Sequence, residues 1–93
     1  MAIYLVSYDL RKQGQNYSGL INEIKKSPDW ISPLESVWLV QTNEGADKLY
    51  NRLGLQIDKN DSILIINIGN DYQGLLPQDC WAWLGKYLQK YAA

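Results

Sequence analysis

Apolar residues recur along this chain first at every second position and then at every third or fourth, so strands and helices follow one another. Ala2 to Tyr8 reads as a strand that closes on Asp9. Asn16 to Lys26 places Tyr17, Leu20, Ile21 and Ile24 on one helical stripe, which Pro28 ends. Trp30 to Ser32 forms a short strand that bends at Pro33, and Glu35 to Gln41 forms a longer one. Thr42 or Asn43 then caps a second helix. It carries Glu44 and Asp47 in its first turn, Ala46, Leu49, Tyr50 and Leu53 on its apolar face, and Gly54 as its C-terminal cap. Asp58-Lys59-Asn60-Asp61 is a turn, and Ser62 to Ile68, rich in isoleucine and free of proline, is the most strand-like segment. Pro77 opens a third helix expected to run to Tyr91.

The first six elements therefore run βαββαβ, the order of a ferredoxin-like α+β fold with an antiparallel sheet and two helices on one face. Residues 1–93 read as a single domain, with 1–68 as the core and 76–91 as an extra C-terminal helix. Alternate strand residues point to opposite faces of a sheet, and here both faces are apolar. Ile3 and Leu5 oppose Tyr4, Val6 and Tyr8; Val37 and Leu39 oppose Trp38 and Val40; Ile63 and Ile65 oppose Leu64, Ile66 and Ile68. Two helices on one side cannot cover the other, and a bare apolar sheet face is rare on a monomer. Either the third helix folds across it or a second copy packs there, most economically as a two-fold homodimer.

Composition narrows the chemistry. With 46% hydrophobic and 20% charged residues the chain is ordinary globular protein. No apolar run approaches the ~20 residues of a membrane span, and the N-terminus is a strand rather than a secretory leader, so a cytoplasmic location with no membrane partner is expected. Cys80 is the sole cysteine, which excludes an intrachain disulfide. Nine Lys and Arg against ten Asp and Glu give a net charge of −1, so any nucleic-acid surface must be local. The chain has no histidine, which removes Ser-His-Asp and Cys-His hydrolases, His-ligated zinc enzymes and histidine phosphotransfer.

Among the remaining groups Asp9 stands out, because a carboxylate at a strand mouth can hold a metal or a partner. The alternative is a turn-forming carboxylate that accepts nearby backbone amides. Lys25, Lys26, Lys48 and Arg52 read as solvated helix faces. Tyr17 and Trp30 could stack bases, but their spacing is that of core residues. Gly69 to Gly74 lacks the Gly-Lys-Ser or Gly-Lys-Thr ending of a phosphate loop and reads as a connector. In the third helix Trp81, Leu84, Leu88 and Tyr91 make one stripe, with Trp83 and Tyr87 on a neighbouring one, so its apolar arc can touch more than one surface.

Three segments together resemble a known family: the apolar strand ending in Tyr8-Asp9, the strand Glu35-Ser36-Val37-Trp38, and the turn-plus-strand Asp61-Ser62-Ile63-Leu64-Ile65. In order and spacing they are similar to the small CRISPR-associated adaptation subunit, Cas two, over residues 1–68. The virulence-associated D ribonuclease toxins are a related group. The resemblance implies a ferredoxin-like homodimer in which Asp9 meets its symmetry mate and binds Mg²⁺ or Mn²⁺. It further implies a metal-dependent endonuclease acting on RNA or DNA, or a catalytically inactive dimeric scaffold. Such a site needs oxygen ligands, waters and substrate phosphates. Tyr8, Ser7 and Ser36 are its expected neighbours, with Arg11 and Lys12 as phosphate clamps. The chain departs from the family in its Trp-rich C-terminal helix, which stands where a further strand would pair with the partner, and in its acidic balance. A protein-interaction module docking through Trp81, Trp83 and Tyr87 is the alternative from another class, and a small-ligand regulatory domain is a third.

Overall fold

The computed structural model describes residues 2–11 and 17–88. Strand β1 (Ala2–Asp9) is apolar on both sides, and it occupies the interior of the sheet. The remaining elements are α1 (Ser18–Ile24), β2 (Asp29–Leu34), β3 (Val37–Thr42), α2 (Ala46–Gly54), β4 (Ser62–Asn67) and α3 (Gln78–Tyr87). They form a small α+β domain with one four-stranded antiparallel sheet in the order β2-β3-β1-β4 and three helices. None of the helices among the described residues is long and apolar enough to cross a membrane.

The pleat divides the core in two. Tyr4, Val6, Trp38 and Val40 point to one face and are buried with Leu20 and Ile24 of α1 and Leu49 and Leu53 of α2. Ile3 and Leu39 point to the other face and are buried with Trp83 and Leu84 of α3. The third helix is therefore the element that covers the second face, one of the two coverings the alternation allowed. Its cover is incomplete. Register places Ile31, Leu39, Leu5 and Ile66 in one row across the sheet and Leu34, Val37, Ser7 and Leu64 in the next. Helix α3 packs beside β2 over the first row, while Leu34 and Leu64 remain 55% exposed and Ile66 47%.

Several boundaries differ from the sequence expectation for identifiable reasons. Strand β2 is longer than Trp30–Ser32, extending from Asp29 to Leu34, because an irregularity between Ile31 and Leu34 absorbs Pro33. Glu35 and Ser36 form a tight turn instead of opening β3, and Ser36 takes the left-handed conformation, φ 59°. Helix α2 is entered through Gly45 rather than capped by Thr42 or Asn43; the Thr42 hydroxyl accepts the Glu44 N–H and donates to the Glu44 carboxylate. Gly54 lies within α2, and Ala46 and Tyr50 are exposed, leaving Leu49 and Leu53 as its buried stripe. Helix α3 ends at Tyr87 with Leu88 extended. Its buried residues are Cys80, Trp83 and Leu84, whereas Trp81 is half-buried; Tyr91 and Asn16 lie outside the described residues.

Candidate functional site at the tip of strand β1

Asp9 closes β1 opposite Ser62 of β4. Pairing is regular along the strand, so Asp9 shares a face with Ile3, Leu5 and Ser7, the face on which α3 lies. Its side chain is 64% exposed, and its carboxylate sits 3.0 Å from the guanidinium of Arg11, itself 63% exposed. An ion pair this open contributes little stability, at most about 1 kcal/mol. The turn-forming role belongs instead to Asp61. One Asp61 oxygen accepts the Arg11 backbone N–H at 2.8 Å, the other accepts the Asp58 N–H at 2.8 Å, and the Tyr17 hydroxyl lies 3.0 Å from both. This carboxylate ties the chain leaving β1 to the turn entering β4.

The other expected neighbours divide. Tyr8 lies on the opposite face of the sheet from Asp9, where its hydroxyl accepts the Trp38 indole N–H at 3.1 Å and supports the strand from behind. Its backbone N–H donates to the Ser36 carbonyl at 3.2 Å, which brings the β2–β3 turn against the strand tip. Ser7, Tyr8, Asp9, Ser62, Ile63 and Leu64 border a shallow hollow of about 230 Å³ at the strand tip. Lys12 lies outside the described residues. No group of three or more Cys, Asp or Glu side chains placed to hold one ion exists among the described residues. An ion at Asp9 would therefore need a second carboxylate, waters or a phosphate to complete its ligands.

A larger cleft, about 560 Å³, lies elsewhere, around Arg52. All five of the guanidinium's donors are used. Nε and Nη2 grip the two Glu44 oxygens at 3.1 and 2.8 Å, Nη2 also reaches Ser27 Oγ at 2.9 Å, and Nη1 reaches the Glu23 carbonyl at 2.6 Å and its carboxylate at 3.3 Å. Arg52, expected on a solvated face, is instead a clasp joining the end of α1 to the loop before α2. Glu44 is held low chiefly by Arg52, Glu23 is held low by Lys26 and then Arg52, and Arg52 is raised in return, chiefly by Glu44. Lys25 and Lys26 are exposed as expected, with Lys25 5.1 Å above the Trp30 ring.

A third polar cluster fastens α3 to the sheet edge. The Tyr87 hydroxyl donates to Asp29, Lys86 Nζ lies 3.3 Å from the same oxygen, and the Trp30 backbone N–H donates to the other at 2.9 Å. The Tyr87 bond above all holds the Asp29 carboxyl down to about 2, and Asp29 pushes the Tyr87 phenol up. Trp83 Nε1 is buried and completes no hydrogen bond of standard geometry, though its N–H dipole still helps lower Asp29. This arrangement corrects the expectation that Trp81, Trp83 and Tyr87 form a docking surface. Trp83 is buried against Ile3 and Leu39, and Tyr87 is turned edge-on to Trp83 and committed to Asp29. Trp81 stacks on Tyr72 at 6.1 Å. Cys80 is buried, and burial raises its thiol, so it is a packing residue rather than a nucleophile.

Sequence reasoning located Asp9 because a charge at the end of an apolar strand is visible in one dimension. It missed Asp61 and Asp29 because their partners lie up to 50 and 58 residues away. The Asp58–Asp61 turn signal was the available hint for the first; nothing in the sequence marked the second. No protein-family model matches this chain, and no curated protein sequence matches it.

Proposed function

We propose that this chain is a ferredoxin-like domain resembling the small CRISPR-associated adaptation subunit, that it acts as a homodimer, and that paired Asp9 residues support divalent-metal-dependent phosphodiester cleavage of RNA or DNA. The order βαββαβ and the sheet order β2-β3-β1-β4 support the fold assignment. One observation carries the functional reading: the exposed Asp9 carboxylate lies on the same sheet face as the uncovered residues Leu34, Leu64 and Ile66, at the rim of that strip. Burying the strip against a second copy removes apolar surface from water and sets both strand tips beside the joint, where two carboxylates can share one ion.

Mg²⁺ or Mn²⁺, when bound, supplies charge neutralisation at the phosphoryl oxygens and a more acidic water. The residues of the chain do the rest. Asp9 from each protomer provides the oxygen ligands. Arg11 exchanges its carboxylate for a substrate phosphate, two of whose oxygens a guanidinium can grip bidentately. Asp61 holds the Arg11 backbone in place through that exchange. The Tyr8 hydroxyl fixes the Trp38 indole and keeps the strand tip rigid from the opposite face.

Purified protein incubated with labelled RNA, single-stranded DNA and duplex DNA in Mg²⁺ or Mn²⁺, with EDTA controls, tests the reading. Asp9→Ala is expected to fold normally, because the side chain is mostly exposed, and to lose metal-dependent cleavage and Mn²⁺ binding. Equal cleavage by wild type and Asp9→Ala rules the nuclease out. A wild-type dimer that cuts no substrate identifies the inactive scaffold instead.

A further inference from the structure

The described residues present one large apolar side chain almost wholly to solvent: Leu75 is 97% exposed. It lies in the connector between β4 and α3. The preceding residue, Gly74, rests against the Trp81 ring, and the following one, Leu76, turns inward. Leu76 lines a cavity of about 190 Å³ whose floor is Leu5, Val37 and Leu39 of the sheet and whose wall is Trp81 and Leu84 of α3. The cavity opens beside Leu34, so it continues the uncovered strip of Leu34, Leu64 and Ile66. A greasy projection and a greasy hollow thus stand side by side on one face.

We infer that this pair is the self-complementary contact of a two-fold dimer, in which Leu75 of each protomer enters the apolar cavity of the other. The inference rests on the homodimer proposed above and names its contact. An isologous interface requires a surface that carries both a shape and its complement, and the leucine beside the hollow meets that requirement. The hollow is large enough for an aliphatic side chain, and filling it restores the close packing that interiors maintain. The lining argues against other occupants. Among the described residues no Lys or Arg borders the cavity, so a nucleic-acid backbone or an anionic membrane finds no counter-charge from them there. Asp71, the charge at its edge, would repel both. The contact also lies on the face that carries Asp9.

Light scattering across a concentration series tests the contact. Wild type is expected to give twice the 10.7 kDa chain mass at tens of micromolar. Leu75→Ser is expected to raise the dimer dissociation constant about 100-fold, roughly tenfold for each of the two symmetry-related leucines. Its fold should be untouched, read as an unchanged circular-dichroism spectrum and continued protection of the buried Cys80 thiol from alkylation. Leu55→Ser is the control, since Leu55 is 83% exposed at the end of α2, the helix that packs on the opposite face of the sheet from the cavity, and its dimer should match wild type. A dimer that survives Leu75→Ser overturns this contact and leaves the homodimer standing. Equal weakening by both variants also overturns it, because exposed leucines would then act without regard to place. A monomeric wild type overturns the contact and the homodimer together.

Discussion

Replacing Asp29 by Asn isolates the charge that fastens α3 over the sheet. The amide keeps one acceptor oxygen, for the Trp30 N–H, and turns its NH₂ toward the Tyr87 hydroxyl, which can rotate to accept it, so what is lost is chiefly the anion that these donors and Lys86 stabilise. A carboxyl held at about 2 instead of its ordinary 3.8 adds about 2.4 kcal/mol of stability at neutral pH as an upper bound. The Asp29 side chain is 29% exposed and that of Lys86 60%, and solvent screening lowers the expectation to roughly 1–2 kcal/mol. The sign follows from the direction of the shift. A depressed carboxyl stabilises the folded state fully above its unfolded value and loses that contribution as pH falls from 3.8 toward 2. By about pH 2.5 roughly a third of the neutral-pH contribution remains. Urea unfolding of wild type and Asp29→Asn at both pH values measures this directly, because the other carboxyls titrate alike in both proteins and cancel in the difference. Hydrogen exchange in α3 should rise in the variant at neutral pH. A stability difference that stays constant between pH 7 and pH 2.5, or one under about 0.3 kcal/mol throughout, would refute the claim that an anionic Asp29 holds the helix down.

Two further outcomes follow from the geometry. Arg52→Met keeps the apolar stem but strands the Glu44 carboxylate and leaves Glu23 only Lys26, so a loss of about 2–3 kcal/mol in urea unfolding is expected, largely recovered when Glu44→Gln is added. Ser36→Gly should stabilise by about 0.5–1 kcal/mol, since φ 59° strains a serine more than a glycine, and thermal unfolding reads it as a rise in melting temperature.

Strand and helix identities were legible in one dimension wherever apolar spacing ran unbroken. β1, β4 and the Leu49–Leu53 stripe of α2 are such cases, and so is the finding that both sheet faces are apolar. Asp9 was equally visible, as a charge at the end of a hydrophobic run. The turn at Glu35-Ser36 was hidden because a serine holds a conformation that glycine or asparagine usually signals. The face of α3 was misjudged for a different reason. A helix with tryptophan or tyrosine at 81, 83 and 87 offers more than one apolar stripe, and local spacing cannot choose between them.

The amino-acid sequence by itself determined the α+β class, the apolar character of both sheet faces and the exclusion of histidine chemistry, because all three depend on residue type and on neighbours a few positions apart. Tertiary structure decided which stripe of α3 is buried, that Arg52 is a clasp, that Asp61 rather than Asp9 braces the strand tip, and that Leu75 stands beside a hollow. Each of these joins residues distant along the chain, and only the folded sheet brings such groups within the few ångströms over which hydrogen bonds and packing act.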